Sequence, residues 1–498
     1  MVLEVLYRAS TYVVPPQYYP HAAVTSLALV VTYAFAQGKA TNRERDLHAR
    51  TILVTGAFTP LGLTLITELA SRGAHIIALS PYPLDHSHPS LLIPLLRSTT
   101  NNESIYAEYA DLTSPESIRA FCTGFLTGNE QRLDAIVYAH EYHGIGTLFK
   151  SKVSAEKQRD ASSLATFLLT TLLLPSLLVA PIERDIRIIT VVNPWYAAAI
   201  PSFSKRLAAA FEEEETNRRK RSRDPLFLAE GERSLRTAVW SRHLQRILDA
   251  LPNQRADAAG KPDPKAAPPP PNPAFQHSNI VSVSVCPGIS RADTIAPLLQ
   301  ADNSSGADGW SLKGFLLYMM LYPILWLLTK SPKAAIQTVL HALFLPTPFK
   351  RAQATIAASL NPSPSTEPTT TTEEQKKKNV SDWEEDRTPE EVLKPGALYR
   401  ECSIVRINVP PLPEDFVEKR EKMQKEEQEK RKKSKLAEDA VTLEDDGEFG
   451  GEVVGRTVWE WYELKLKEWE AEEKRHKEKE RKDEKETPQT ASTESTPS

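Results

Sequence analysis

The sequence predicts an α/β protein: a doubly wound parallel sheet with an amino-terminal membrane anchor and carboxyl-terminal charged helices. Three observations predict it. From Arg50 to Phe344, short apolar runs of strand length alternate with amphipathic stretches of helical period, the pattern of a sheet whose parallel strands are joined by helical crossovers. Near the start, 22–36 ("AAVTSLALVVTYAFA") has no charge. Beyond 414, Lys and Glu dominate segments of strong helix propensity.

Composition narrows the reading. The chain has 498 residues, but 38 prolines and 25% charged residues put a good part of it outside any core. One domain of about 250 to 300 residues plus tails is expected. A formal net charge of -4 gives no case for a nucleic-acid partner. Cys122, Cys286 and Cys402 lie far apart and form no CxxC, which fits a reducing compartment and argues against a cysteine metal site.

The uncharged run defines an expected signal anchor at 21–38, after an amino-terminal segment 1–20. Lys39, Arg43, Arg45 and Arg50 follow it and only Arg8 precedes it, so the positive-inside bias leaves a single-pass protein with its domain in the cytosol. Endoplasmic reticulum, lipid droplet and mitochondrial outer membrane are the compartments such an anchor admits.

The domain itself is expected over 50–346. "TILVTGAFTPLG", Thr51 to Gly62, reads as a buried strand and a turn; "LGLTLITELASRGAHIIAL" adds a helix, a stop at Gly73 and a second strand. In such a βαβ unit the glycines let backbone approach a pyrophosphate seated on the amino end of the helix. Pro60 stands where a glycine is expected, removing one amide donor and fixing φ. "YAEYADLTSPESIRAF", "LDAIVYAHEYHG", "DIRIITVVNPW" and "NIVSVSVCPGIS" supply strands three to six, and "SPKAAIQTVLHALF" a closing helix.

In order and spacing, these landmarks resemble the short-chain dehydrogenase/reductase superfamily in its retinol-dehydrogenase-like form, and more narrowly a degenerate fungal, membrane-anchored group. The resemblance implies a Rossmann-like fold with the cofactor residues Thr55, Gly56 and Gly62 of the TGxxxGxG turn, Ser80 at the ribose position, Asp111 at the adenine position, and the Pro287-Gly288 turn. Ser80 is neither the acid of NAD-dependent relatives nor a basic NADP determinant. Asp111 reads equally well as a cap of the turn before "SPESI". The family's NNAG is replaced by Tyr138-Ala139-His140-Glu141. NADP or NAD is therefore expected to bind weakly or not at all.

The catalytic half of the pattern is missing. The family's Tyr and Lys stand four apart so that both face the same side of a helix, yet none of the fifteen tyrosines has a lysine four residues on. The family's Ser aligns with Asn193. Ser234, Arg236 and Thr237 fall around the expected dyad, and a second register uses Lys205 with Pro201 in the tyrosine's place. Asn193, Tyr196, Lys205 and Arg236 are the candidate catalytic groups, with His140, Tyr142 and His143 at a strand end where α/β ligand sites form. No third ligand accompanies His140 and His143, so no metal is expected. Cys286 reads as packing.

Two insertions flank the dyad-bearing helix: 204–226, an acidic block followed by a basic one, and 253–276, rich in proline. At 310–330, "WSLKGFLLYMMLYPILWLLTK" reads as a hydrophobic lid interrupted at Pro323; it could rest in the cytosolic leaflet, lie buried as a helix pair or span the membrane. A disordered linker is expected over 347–394, a segment packing back on the domain over 395–413, a charged helical tail over 414–485 and disorder over 486–498. The apolar start of the last helix could dock on the body or on a protein partner. Two functions follow. One is a degenerate, membrane-tethered protein binding a lipophilic ligand or serving as a scaffold. The other is an NADP(H)-dependent oxidoreductase acting on a lipophilic carbonyl or alcohol with a non-standard proton donor.

Overall fold

The computed structural model describes residues 18–128, 132–147, 152–181, 184–211, 225–258, 278–302, 310–351, 391–420, 422, 443 and 445–486. Most of the linker 347–394, parts of both insertions and the stretch 486–498 lie largely outside these residues. The sheet has eight strands: β1 (Thr51–Thr55), β2 (His75–Ser80), β3 (Ile105–Tyr109), β4 (Ala135–Tyr138), β5 (Ile186–Val191), β6 (Ile280–Cys286), β7 (Leu398–Arg400) and β8 (Ser403–Val405). Their order is β3-β2-β1-β4-β5-β6-β7-β8. All neighbours pair in parallel except β7 and β8, so the expected parallel sheet ends in one antiparallel hairpin strand. The order reverses between β1 and β4, which opens a crevice at their carboxyl ends.

The central strands are buried along their length because both faces are covered. In β1, Leu53 enters one core while Ile52 and Val54 enter the other, the two-residue alternation of a pleated strand. The second core lies under α2 (Pro60–Ala70), α3 (Ser87–Thr100) and α9 (Gln337–Phe344); the first lies under α4 (Pro115–Thr127), α5 (Lys152–Val179), α6 (Phe203–Phe211), α7 (Leu226–Ala258) and α10 (Gly451–Glu486). Residues 157–179 of α5 are apolar and long enough to cross a membrane, but more than half of them are buried in the body.

In α10 the apolar start joins the core of its own chain. Val454, Val458, Trp461 and Tyr462 recur at helical spacing and are buried; Tyr462 stacks on Phe167 at 5.1 Å and its hydroxyl lies 2.9 Å from Ser163 Oγ.

Two apolar helices stand outside the cores. α1 (Tyr19–Gln37) has no buried residue, and α8 (Leu312–Leu328) buries only Gly314. Contrary to the expected interruption, α8 runs through Pro323 as one helix. It lies along the body: Phe315, Tyr318, Leu321 and Leu325 are half-buried, while Leu316, Met319, Met320, Ile324 and Trp326 face outward, Met320 with 78% of its surface exposed. The carboxyl ends of the two helices meet. Tyr33 stacks on Trp326 at 4.5 Å, and the Gln37 side chain bonds the Thr329 carbonyl and the Ser331 hydroxyl.

From there, 38–50 runs along α9 to the amino ends of the strands, tying α1 to the body. Thr41 Oγ1 meets His341 Nδ1 at 3.1 Å, Arg45 pairs with buried Asp185, and Arg50 with buried Asp134. Two of the four cations that follow the anchor are thus also structural.

Candidate active-site crevice

The crevice is built from the turn after β1, the loops after β4 and β5, and the segment after β6. Gly56 has φ +66° in that first turn, and a Cβ on Gly62 would lie 2.1 Å from the Gly56 carbonyl oxygen; only glycine allows strand and helix so close. Thr59 caps α2: its Oγ1 accepts from the Gly62 amide at 3.1 Å and donates to the Gly56 carbonyl at 2.8 Å. Pro60 is the first helical residue, where an amide would have no intrahelical acceptor and the fixed φ suits the helix. Its presence therefore does not distort the turn.

What fills the turn comes from far along the chain. The Leu61 amide donates to Asp293 Oδ1 at 2.9 Å. Asp293 is fully buried in a single π-helical turn, Arg291–Ile295, that follows β6. Its Oδ2 accepts from the Ser290 hydroxyl at 3.1 Å and its carbonyl accepts from the Gly144 amide. His143 lies between two carboxylates, Nδ1 3.6 Å from Asp293 Oδ1 and Nε2 3.3 Å from Asp302 Oδ2. Burial works against its charge, but the two acids outweigh it and hold the imidazole up at about 9.

This segment is also fastened to α8 at both ends. The Ser311 amide bonds the Gln300 carbonyl and Gly314 packs on the Leu299 carbonyl; at the other end the Lys330 amide bonds the Ile289 carbonyl, and the Arg291 amide bonds that of Lys330.

The other cofactor candidates are engaged within the protein. Thr55 Oγ1 meets His140 Nδ1 at 2.7 Å, and His140 Nε2 donates to the Ser162 carbonyl; burial pushes this imidazole down to about 4. His140 and His143 therefore face different partners and form no ligand pair. Ser80 closes its own turn by bonding both backbone atoms of Tyr82. Asp111 Oδ1 accepts from the Thr113 amide and hydroxyl, the turn-capping alternative. After Pro287, the Gly288 carbonyl accepts from the buried Tyr142 hydroxyl at 2.8 Å.

The catalytic candidates are dispersed. Lys205 is exposed to solvent on α6. Arg236 is paired with Glu232 and covered by the Trp461 ring at 3.7 Å. Tyr196 is buried near Arg400 and Cys286, and burial first, then the Cys286 thiol, raises its phenol. Cys286 is buried too, its thiol pushed up to about 11. Only Asn193 reaches the place of the dyad. Its amide nitrogen donates to Glu230 Oε1 at 2.7 Å and to the Glu141 carbonyl at 3.0 Å, and its backbone amide donates to Ser234 Oγ.

Glu230 and Ser234 are thus the i, i+4 pair of α7 that faces the end of β5, and Glu230 heads a buried ionic network. Arg159 donates to Glu230 and to the carbonyls of Glu141 and His143, while Arg233 bridges Glu230 at 2.6 Å and Asp160 at 2.9 Å. Glu141 is buried beside them, and burial raises its carboxyl. Glu230, Arg159, Arg233 and Asp293 lie in none of the family's motifs. The one sequence signal was the Glu230/Ser234 spacing on a helix already expected to face β5.

Fold and crevice define a doubly wound α/β protein of the Rossmann type. No family model matches the chain. An uncharacterised oxidoreductase of Saccharomyces cerevisiae is 27% identical over 337 residues, 63% of this chain and 72% of that protein. One of Schizosaccharomyces pombe is 23% identical over 336 residues, 66% and 78%. Human retinol dehydrogenase 11 is 31% identical over 136 residues, 26% of this chain and 40% of its own length. A solved short-chain dehydrogenase from Salmonella enterica, 16% identical, covers 58% of this chain and 94% of that one at a TM-score of 0.34. The chain is a member of the short-chain dehydrogenase/reductase superfamily.

That superfamily works with a nicotinamide dinucleotide, and the residues present do not fit one. The amide at the amino end of α2, where the pyrophosphate would be seated, already holds a carboxylate. A second anion there would meet like charge in a closed site.

Proposed function

We propose that this chain is a membrane-associated member of its superfamily that no longer transfers hydride and acts by binding, taking a lipophilic ligand or a protein at a membrane surface. The observation behind this reading is the Glu230 network. Where family members hold a phenol poised to give a proton, this chain has a carboxylate held in buried ion pairs with two arginines.

The membrane half of the reading draws on α1 and α8. At about 1.5 Å per residue, the 19 residues of α1 extend about 28 Å, close to the roughly 30 Å of a bilayer core. The outward face of α8 suits a helix lying in the interface beside it. The domain then faces the cytosol.

The full chain in nanodiscs is expected to leave NADPH and NADH unconsumed with long-chain aldehydes and ketones, and NADP+ and NAD+ unreduced with long-chain alcohols; in native membranes it is expected to resist carbonate extraction. Turnover lost on Glu230→Gln would overturn the non-catalytic reading. Release by carbonate would overturn the anchor.

The second reading, an NADP(H)-dependent oxidoreductase on a lipophilic carbonyl or alcohol with a non-standard proton donor, draws on the two yeast relatives being named oxidoreductases. Turnover in the same assay would favour it.

A further inference from the structure

We propose that Asp293 is a built-in occupant of the anion seat of the crevice, so that the protein is liganded by its own carboxylate where its fold would otherwise take a phosphate group. Four observations on different elements converge on that side chain. The Leu61 amide, which no intrahelical acceptor satisfies, donates to it at 2.9 Å. The side chain is fully buried. Its second oxygen is held by Ser290, the residue that also caps its own π-helical turn. His143, wedged between Asp293 and Asp302, supplies the counter-charge that an isolated buried carboxylate would lack.

The seat is otherwise of the phosphate-binding kind: a glycine turn in the left-handed region, a threonine cap and a helix of eleven residues whose Leu61 amide points into it. Asp293 thus meets the same electrostatic demand that a dinucleotide would meet, from within the chain. This inference shares the crevice with the non-catalytic reading but does not depend on it, since a protein can bind a dinucleotide without turning it over.

The test is calorimetric titration of the full chain in nanodiscs with NADPH, NADH and inorganic pyrophosphate, for the parent, Asp293→Asn and Asp293→Ala. The parent is expected to show no saturable binding to about millimolar concentration, and the alanine variant to gain at least about tenfold for pyrophosphate, with the asparagine variant between them, because charge and bulk are removed in turn. Where a variant is destabilised, recovery of its melting temperature with millimolar pyrophosphate reads the same effect. Micromolar binding of NADPH by the parent would overturn the proposal, as would folded variants that gain nothing or destabilised ones that pyrophosphate does not rescue. Binding without turnover would overturn this inference alone; turnover would overturn the functional reading.

Discussion

The crevice and the outer helices invert the usual distribution of polarity in opposite senses. In the crevice, charged groups are buried and each is answered by another part of the chain: Glu230 by Arg159 and Arg233, Asp293 by Leu61, Ser290 and His143. On α1 and α8, large apolar side chains are exposed. Buried charges persist only when paired, and broad exposed apolar surface marks a place where something else binds. The buried charges of the crevice are thus matched from within the chain, whereas the outer face is the part for which the proposed reading supplies a membrane surface.

The sharpest way to break this contrast is to unpair the crevice. Glu230→Ala leaves Arg159 and Arg233 buried against each other and should lower stability by about 3–5 kcal/mol in denaturant unfolding. Next in size is a pH effect. His143 is held at about 9, above its ordinary value near 6.5. A raised folded-state value stabilises fully below about 6.5, and that contribution disappears as pH rises through about 9, an amount of up to roughly 3 kcal/mol. The parent should lose stability between those limits more steeply than His143→Gln, as melts from pH 6 to 10 would show.

Leu316→Ser with Met320→Ser changes only the outer face, so stability should move by about 0.5 kcal/mol or less, while liposome flotation of a chain lacking 22–36 should fall several-fold. An unfolding effect larger than that of Glu230→Ala would reverse the comparison. A modest effect, on stability alone, is expected at Pro60. Pro60→Gly should cost about 0.5–1 kcal/mol from the first turn of α2 and add no dinucleotide affinity while Asp293 remains.

The fold class was legible because the central strands are buried on both faces and so read as largely apolar runs, and because "TILVTGAFTPLG" couples strand, turn and helix within twelve residues. Local signals of that kind survive in a single sequence. The filling of the crevice was not legible, since Asp293 meets Leu61 across 232 positions and Arg159 meets Glu230 across 71. Nothing in either neighbourhood announces its partner. Pro60 misled because its missing amide was weighed without its position, the one place in a helix where that amide has no intrahelical acceptor. Pro323 misled in the same way: it removes one backbone bond from α8, which continues through it. Lys205 became a candidate through the second register, with Pro201 four residues before it, but on α6 it is exposed to solvent.

The fastening of α8 has a mechanical meaning. Its amino end is knotted to Leu299 and Gln300 and its carboxyl end to Ile289 and Arg291, so the helix bridges the ends of the loop that holds Asp293. Helix and loop thus close one hydrogen-bonded ring, in which the most outward apolar face of the body and its buried carboxylate belong to a single clasp.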